Sequence, residues 1–248
     1  MTTGNAWLSA FPIRPAADAV EALCESWYVL SKRPLPGFNP NKREPELTRF
    51  LKAHVERVTA RERGLLGMWA TEGVINEFDF NTGELTEERR TDIVYGWNNE
   101  SSGIQLVFEF KKLSRSTRDR AHYLGENGLG RFVTGIYSRG QAVAAMVGML
   151  IDPIEDVVPP LRDALGDAAM IENLQLQLRA NGTAFDRPSI LFSKADFDTE
   201  HRRQLDLAPS HGTIRIAHLF LAFGYGCPRK TRPKARGTVP AKSAGQKA

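Results

Sequence analysis

With 248 residues, 42% of them hydrophobic and 25% charged, the chain can bury a substantial core, and no stretch approaches the roughly 20 apolar residues of a membrane span. The start of the chain lacks the pattern of a secretory signal, so we expect a cytoplasmic protein that is not integral to a membrane. Seven of the 33 basic residues lie after position 228 with no acidic residue among them, which leaves 26 basic against 29 acidic residues in the body. Nucleic-acid binding by the body would therefore require a local basic patch.

The first half of the chain predicts two helices followed by three strands. Apolar residues at helical spacing indicate helices over residues 16–31 and 46–61. From residue 67 onward the apolar period changes to two, which predicts strands over residues 67–80, 89–97 and 103–111. An antiparallel meander after a helix is the simplest arrangement of these elements.

The second half mixes helical and strand-like segments and ends in a basic tail. We predict an interrupted helix over 118–137, a strand buried on both faces over 141–151, helical residues over 153–180, strands over 189–193 and 213–223, and a charged loop over 195–207. The charges of Asp198 and Glu200 favour a solvent-exposed loop, whereas His218 is favoured as a hydrogen-bonded core histidine. His201 is a candidate for contact with a substrate.

Two charges interrupt the apolar third strand. Because side chains alternate across a strand, Glu109 and Lys111 share one face while Phe108 and Phe110 occupy the other. Asp92 begins the apolar run of the preceding strand and can project onto the same face as Glu109. Two carboxylates within reach of one cation suit Mg²⁺, and a lysine beside them completes a minimal set for phosphodiester hydrolysis. The alternative is a solvated strand face whose charges have no catalytic role.

This pattern resembles that of the PD-(D/E)xK superfamily of restriction-endonuclease-like nucleases. Asp92 is followed by sixteen residues and then by Glu109-Phe110-Lys111, and the likeness covers roughly residues 44–151. The sequence departs from the pattern in one place, because Thr91 stands where the family has proline. The resemblance implies an α/β fold with a restriction-endonuclease-like core, in which helices flank a central mixed β-sheet.

The resemblance also assigns roles to individual residues. Asp92 and Glu109 would ligate the metal, Phe110 would contribute its backbone carbonyl, and Lys111 would be the catalytic lysine. The family often adds a carboxylate from the preceding helix, for which Glu46 is the first choice and Glu44 the second. The implied cofactor is Mg²⁺, with Mn²⁺ as a substitute.

A basic stretch follows the catalytic motif and is a candidate nucleic-acid-binding surface. Its candidate contacts are Lys112, Arg115, Arg118, Arg131 and Arg139, which would bind phosphates without reading sequence. The alternative is a solvated helix face. Tyr137 and Gln141 lie near the end of this stretch and are further candidates for substrate contact.

The expected organisation has three parts: a helical extension over residues 1–43, a nuclease-like domain with a C-terminal sheet extension over 44–228, and a disordered basic tail over 229–248. The expected function is that of a metal-dependent nuclease that hydrolyses nucleic acid, with DNA favoured and with endonuclease or exonuclease action left open, and the family analogy suggests antiviral defence against foreign DNA. The alternative is an inactive nuclease-like module that binds nucleic acid or scaffolds a protein partner. The sequence leaves open an activating protein partner and a homo-oligomer.

Overall fold

The structure, a computed structural model, describes residues 7–78 and 85–225. Cys227 and the basic tail over 229–248 lie outside the described residues. In the described part of the chain, six strands form one mixed sheet in the order β1-β2-β3-β4-β6-β5. The strands are β1 (Met68–Phe78), β2 (Leu85–Asn98), β3 (Gly103–Leu113), β4 (Val143–Leu150), β5 (Phe197–Arg202) and β6 (Thr213–Ala222).

The first three strands form the predicted antiparallel meander, and β3, β4 and β6 are parallel to one another. The short β5 closes the far edge antiparallel to β6. All eight residues of β4 are buried, as the apolar run predicted, because β4 lies between two strands and under helices on both faces.

Helices cover both faces of the sheet. They are α1 (Ile13–Leu30), α2 (Glu44–His54), which continues through a π-helical turn (Val55–Thr59) into α3 (Ala60–Glu62), α4 (Thr117–Leu124), α5 (Leu129–Val133), α6 (Ile154–Leu165) and α7 (Ala168–Asn173). Apolar side chains of α1 and α2 pack against one face of the sheet, and those of α4, α5 and α6 pack against the other. The chain is therefore an α/β protein with a mixed sheet between two helical layers. None of the described helices has the length and apolar character needed to cross a bilayer.

Two sequence-based boundaries in the second half are wrong. The helix predicted over 153–180 is divided after Gly166 and ends at Asn173, and Gln175 then has a positive φ of 50°, which an α-helix does not allow. Of the apolar residues whose spacing predicted this helix, Leu174 is buried, whereas Leu178, beyond the end of α7, is 50% exposed.

The predicted strand over 189–193 and the predicted loop over 195–207 are also interchanged. The segment predicted as a strand forms bends and a turn, because the Asp198 carboxylate accepts hydrogen bonds from Ser189 Oγ at 2.6 Å, Ile190 N at 2.7 Å and Leu191 N at 3.1 Å. The segment predicted as a loop contains β5. Asp198 and Glu200 are buried within it rather than exposed to solvent, which corrects their interpretation as loop residues.

Candidate active site

Strands β2 and β3 part beside Asp92. Their ladder ends at the pair Ile93↔Phe108, and from Phe108 onward β3 is paired with β4. Among the residues that the structure describes, no β2 residue before Ile93 is in register with β3. We call this opening the fork, and it is formed by Asp92 of β2 together with Glu109, Phe110 and Lys111 of β3.

Two carboxylates occupy the open edge of β3 at the fork. Asp92 Oδ2 accepts a hydrogen bond from Phe110 N at 2.9 Å, and Glu44 Oε2 at the start of α2 accepts one from Lys112 N at 2.9 Å. Buried backbone N–H groups require partners, and here side-chain oxygens replace the carbonyls that a paired strand would supply. The parting of the two strands thus fixes both carboxylates in position.

The Lys111 ammonium lies at the centre of the fork and has three acceptors. Its Nζ donates to Glu109 Oε1 at 2.6 Å, to Phe110 O at 2.9 Å and to Glu44 Oε1 at 3.1 Å. Three acceptors match the three protons of an ammonium group. Lys111 and Glu109 are only 6% and 3% exposed, so this hydrogen-bonded pair is shielded from bulk water.

Strand alternation directs these charges as the sequence predicted. Phe108 and Phe110 belong to the core beneath α1 and α2, whereas Val107 and Leu113 belong to the core beneath α4, α5 and α6. Glu109 and Lys111 alternate along β3 with Phe108 and Phe110, as Val107 and Leu113 do. Their side chains therefore leave the strand on the face that is covered by α4 and α5.

Burial raises the pKa of Glu109 from 4.5 to about 8, and the negative charge of Asp92 adds to this rise. Burial also raises the pKa of Asp92, although Lys111 and the hydrogen bond from Phe110 N oppose the change. Burial alone would lower the pKa of Lys111, but Glu109, Glu44 and Asp92 together raise it above its ordinary value. The lysine is therefore charged at neutral pH, and the two acids favour either a shared proton or a bound cation.

One atom of the fork lacks a partner. Glu109 Oε2 is buried and has no hydrogen-bond partner within residues 7–78 and 85–225. A buried carboxylate oxygen is rarely left in this state, because desolvation without compensation is costly. A proton or a cation would satisfy it.

Tyr137, in the loop after α5, and Arg131, within α5, lie near the fork. Burial raises the pKa of Tyr137, and the charges of Glu109 and Asp92 raise it further, while Arg131 opposes them. The Arg131 guanidinium donates a hydrogen bond to the Tyr137 hydroxyl and lies 5.2 Å from the centre of its ring. A second cation is thus held beside the acidic pair.

Arg203 holds this loop in place and was not found by sequence reasoning. Its guanidinium, 5% exposed, donates to the carbonyls of Phe132 at 2.6 Å, Ser138 at 2.7 Å and Tyr137 at 2.8 Å. Burial lowers the pKa of Arg203 to about 10. No motif marks this arginine, because its three shortest side-chain hydrogen bonds are to backbone atoms that lie more than sixty residues away in the sequence.

The structure brings together Asp92, Glu109, Phe110 and Lys111, but it does not bring Glu46 to them. Glu46 Oε2 turns back to the first turn of its own helix and accepts from Arg43 N at 3.0 Å, in a capping box. Glu44 is the helix carboxylate at the fork. Two residues along a helix correspond to about 200° of rotation, so only one of these two acids can face the sheet.

The basic residues after the fork have separate environments. The Lys112 ammonium donates to Pro40 O at 2.6 Å and Lys42 O at 3.1 Å, and so holds the loop before α2. Arg115 pairs with Asp156 at 2.7 Å, Arg139 lies 3.9 Å from Asp206, and Arg118 is exposed. Of the five predicted contacts, Arg131 is the one whose neighbours place it beside the acids of the fork.

The buried histidines belong to a separate hydrogen-bonded chain. His201 Nδ1 lies 2.7 Å from Leu174 O, and Thr199 Oγ1 lies 2.7 Å from His201 Nε2 and 2.9 Å from His218 Nε2. His218 Nδ1 lies 2.9 Å from the Tyr123 hydroxyl. The carbonyl can only accept, so His201 carries its proton on Nδ1, Thr199 donates to His201, His218 donates to Thr199, and Tyr123 donates to His218.

His201 and His218, the two histidines of this hydrogen-bonded series, are neutral. Burial lowers the pKa of His201 to about 4 and that of His218 well below its ordinary value. The prediction of His218 as a core histidine is confirmed. His201 is fully buried as well, so the suggestion that it contacts a substrate is wrong.

Among the described residues, no group of three or more histidine, cysteine, aspartate or glutamate side chains has the arrangement of a metal centre. Glu44 is drawn to Lys111 and Lys112 N, which leaves Asp92 and Glu109 as the acidic pair of the fork. The comparisons with known proteins give no match to a family model, to a curated protein or to a solved structure.

Proposed function

We propose that the chain is a Mg²⁺-dependent nuclease with a restriction-endonuclease-like core, which hydrolyses phosphodiester bonds of nucleic acid at the fork. One observation carries the proposal: the partly buried carboxylate of Asp92 and the buried carboxylate of Glu109, on adjacent strands, lie beside the charged Lys111. Two carboxylates that can hold the ion, with an ammonium group beside them, are a sufficient minimal set for metal-dependent phosphodiester hydrolysis. The resemblance of the motif to the PD-(D/E)xK pattern makes DNA the favoured substrate.

The chemistry of the fork fits a Mg²⁺ ion. Mg²⁺ takes oxygen ligands, is often held by only one or two carboxylates, and leaves its other positions to water and phosphate. Asp92 and Glu109 would hold the ion, and the buried Glu109 Oε2 has no competing partner in the described part of the chain. The Phe110 carbonyl would contribute its second lone pair, since the first accepts from Lys111. When bound, the ion would polarise the phosphate and lower the pKa of a coordinated water.

The protein's own side chains supply the remaining functions. The Lys111 ammonium would orient the attacking water and offset charge that develops on the phosphate. Glu44 and the Phe110 carbonyl fix the position of that ammonium from two directions. Arg131, held by Tyr137, would contact a neighbouring phosphate, which positions the substrate without reading its sequence.

The proposal is tested by cleavage of plasmid DNA, single-stranded DNA and RNA with Mg²⁺, Mn²⁺ or EDTA. We expect cleavage that requires a divalent ion and that Asp92→Asn, Glu109→Gln and Lys111→Ala each reduce by about a thousandfold or more. Asp92→Asn and Glu109→Gln keep the size of the side chain, whereas Lys111→Ala also removes a buried side chain, so circular dichroism is used to show that each variant is folded. Glu155→Gln, which alters an exposed acid of α6, is the matched control and should cleave normally.

Two outcomes would contradict the proposal. Normal cleavage by all three variants would show that the chemistry occurs elsewhere. Binding of nucleic acid by the wild type without cleavage under any of these metal conditions would favour the inactive binding module instead.

A further inference from the structure

A groove of about 780 Å³ lies over β1, β2 and β3. Its lining includes Leu66, Met68, Gly96, Trp97, Gln105 and Gln141. Met68 and Leu66 are 71% and 78% exposed, although both are large apolar side chains. We refer to this depression as the groove.

The groove lies on the same face of the sheet as Asp92 and Glu109. Met68 is paired with Gly96, and Gly96 with Gln105, so these three residues share one face. Asp92 lies four residues before Gly96 on β2 and therefore has the same parity. Four residues of strand cover about 13 Å, so the groove begins next to the fork and continues along the same strands.

The lining combines apolar surface with amide groups. The side chains of Met68, Leu66 and Val94 offer apolar contact, whereas Asn98, Gln105 and Gln141 offer hydrogen-bond donors and acceptors. None of the lining residues that the structure describes is charged. Arg131 lies near the fork and not in the groove. A phosphate at the fork would therefore be close to a positive charge, while the adjacent groove would offer a neutral surface.

Gly96 gives the groove its depth. A Cβ atom built on Gly96 would meet only Met68 O, at 4.0 Å, so the absence of a side chain here is not required by backbone packing. Gly96 is not among the glycines with positive φ, and its conformation therefore suits any residue. Glycine weakens a strand relative to residues with a β carbon. At this position it leaves the groove unfilled at a cost to the stability of the sheet.

We propose that the groove binds an unstacked nucleobase of a single-stranded polynucleotide whose scissile phosphate lies at the fork. The inference rests on the proposed function and adds a substrate class to it. A base fits this surface because its rings bury well against apolar side chains, while its edge can bond with amide groups. The bases of a duplex are stacked and paired, so a duplex would not present them to the groove.

The test is binding rather than cleavage, measured in EDTA by fluorescence anisotropy. The probes are a labelled oligothymidylate, an oligouridylate of the same length, and a DNA duplex. We expect the wild type to bind at least one single strand more tightly than the duplex, and Gly96→Val to weaken that binding about tenfold or more. Gly96→Ala should have a smaller effect, because it fills less of the groove.

A second variant, Met68→Ala, keeps the inference testable if Gly96→Val does not fold. Met68→Ala removes an exposed side chain and should weaken single-strand binding severalfold without lowering the melting temperature. Leu178→Ala is the matched control, since it removes a half-exposed apolar side chain next to β5 at the opposite edge of the sheet. The control should bind like the wild type.

The outcomes separate this inference from the proposed function. Wild-type affinity in both Gly96→Val and Met68→Ala, or equal affinity for duplex and single strands, would overturn the inference even if the wild type cleaves nucleic acid. A change in self-association alone, seen by sedimentation, would identify the groove as an interface between copies and would also overturn it. Binding that depends on Gly96, without cleavage under any metal condition, would support the groove and overturn the nuclease proposal.

Discussion

Buried and partly buried charges form two groups in the sheet, and the two groups differ in their ratio of cations to carboxylates. At the outer edge, Arg215 and Arg179 face Glu200 and Asp186, with contacts of 2.6 Å from Arg215 to Glu200 and 2.7 Å from Arg179 to Asp186. Two cations there meet two carboxylates. At the fork, the carboxylates of Asp92, Glu109 and Glu44 surround the single ammonium of Lys111.

The difference changes the chemistry of the acids. Burial raises the pKa of Glu200, but Arg179 and Arg215 outweigh it and leave that pKa below its ordinary value. Burial raises the pKa of Glu109 to about 8, and the excess of carboxylates at the fork adds to the rise. In a balanced group each charge is compensated by a partner, whereas an acidic group with excess charge is suited to binding a cation. We therefore interpret the outer group as structural and the fork as functional.

Arg215→Met tests the structural half of this comparison and should have the largest effect. Arg215 is fully buried, so its removal leaves Glu200 and Asp186 with less compensation in a desolvated site. We expect a loss of about 3 to 5 kcal/mol of unfolding free energy, measured by urea denaturation. Arg187→Met breaks an exposed pair with Asp196 and is the control, with an expected loss of about 1 kcal/mol or less. Equal losses in the two variants would contradict the structural interpretation.

Glu109→Gln should increase the free energy of unfolding at alkaline pH, whereas Arg215→Met should decrease it. The folded protein holds the Glu109 proton up to about pH 8, whereas the unfolded chain releases it near pH 4.5. Wild-type stability in EDTA should therefore fall as the pH rises between these values, and the variant should lack this contribution. We expect the variant to equal the wild type near pH 5 and to exceed it by roughly 2 to 4 kcal/mol at pH 8. Denaturation curves with a pH-independent difference would contradict this assignment.

The sequence predicted the fork well because its signals are local. Two-residue alternation placed Glu109 and Lys111 on one face, and the adjacent apolar run placed Asp92 on the neighbouring strand. The same reasoning did not decide between Glu44 and Glu46. That choice depends on where α2 begins and on the cap that Glu46 forms with Arg43, and helix starts are hard to locate to within one residue.

The outer edge was harder to predict because its signals are not local. β5 carries Asp198, Glu200 and His201, which are typical of a loop, and its burial depends on partners from distant segments. Arg215 lies in an otherwise apolar run, and nothing in the sequence links it to Glu200. Arg203 likewise depends on three distant carbonyls. Residues whose partners come from distant segments leave no periodic pattern in the amino-acid sequence from which their burial could be predicted.

Mg²⁺ should stabilise the wild type more at pH 8.5 than at pH 6. Metal binding to Glu109 competes with its proton, which the folded protein releases near pH 8. At saturating metal we expect roughly 1 to 3 kcal/mol of added stability at the higher pH, seen as a rise in melting temperature. The double variant Asp92→Asn with Glu109→Gln should show no rise. An equal rise in that variant would show that the ion binds outside the fork.

Glu44→Gln and Glu46→Gln form a matched pair with the smallest expected difference. Glu44 bonds Lys111 Nζ at 3.1 Å and Lys112 N at 2.9 Å, whereas Glu46 is occupied by Arg43. The amide of Glu44→Gln can still accept one hydrogen bond but no longer attracts the ammonium electrostatically, so Lys111 becomes less well fixed. If the chain is the proposed nuclease, steady-state kinetics should give Glu44→Gln a kcat lower by a few fold with an unchanged KM, because the lysine acts on the reacting phosphate and not on substrate binding. Glu46→Gln should leave both constants unchanged, because a charge at an exposed cap contributes only to the helix start. The reverse result, with kcat reduced in Glu46→Gln alone, would show that the helix turns a different carboxylate toward the fork when substrate and metal are bound.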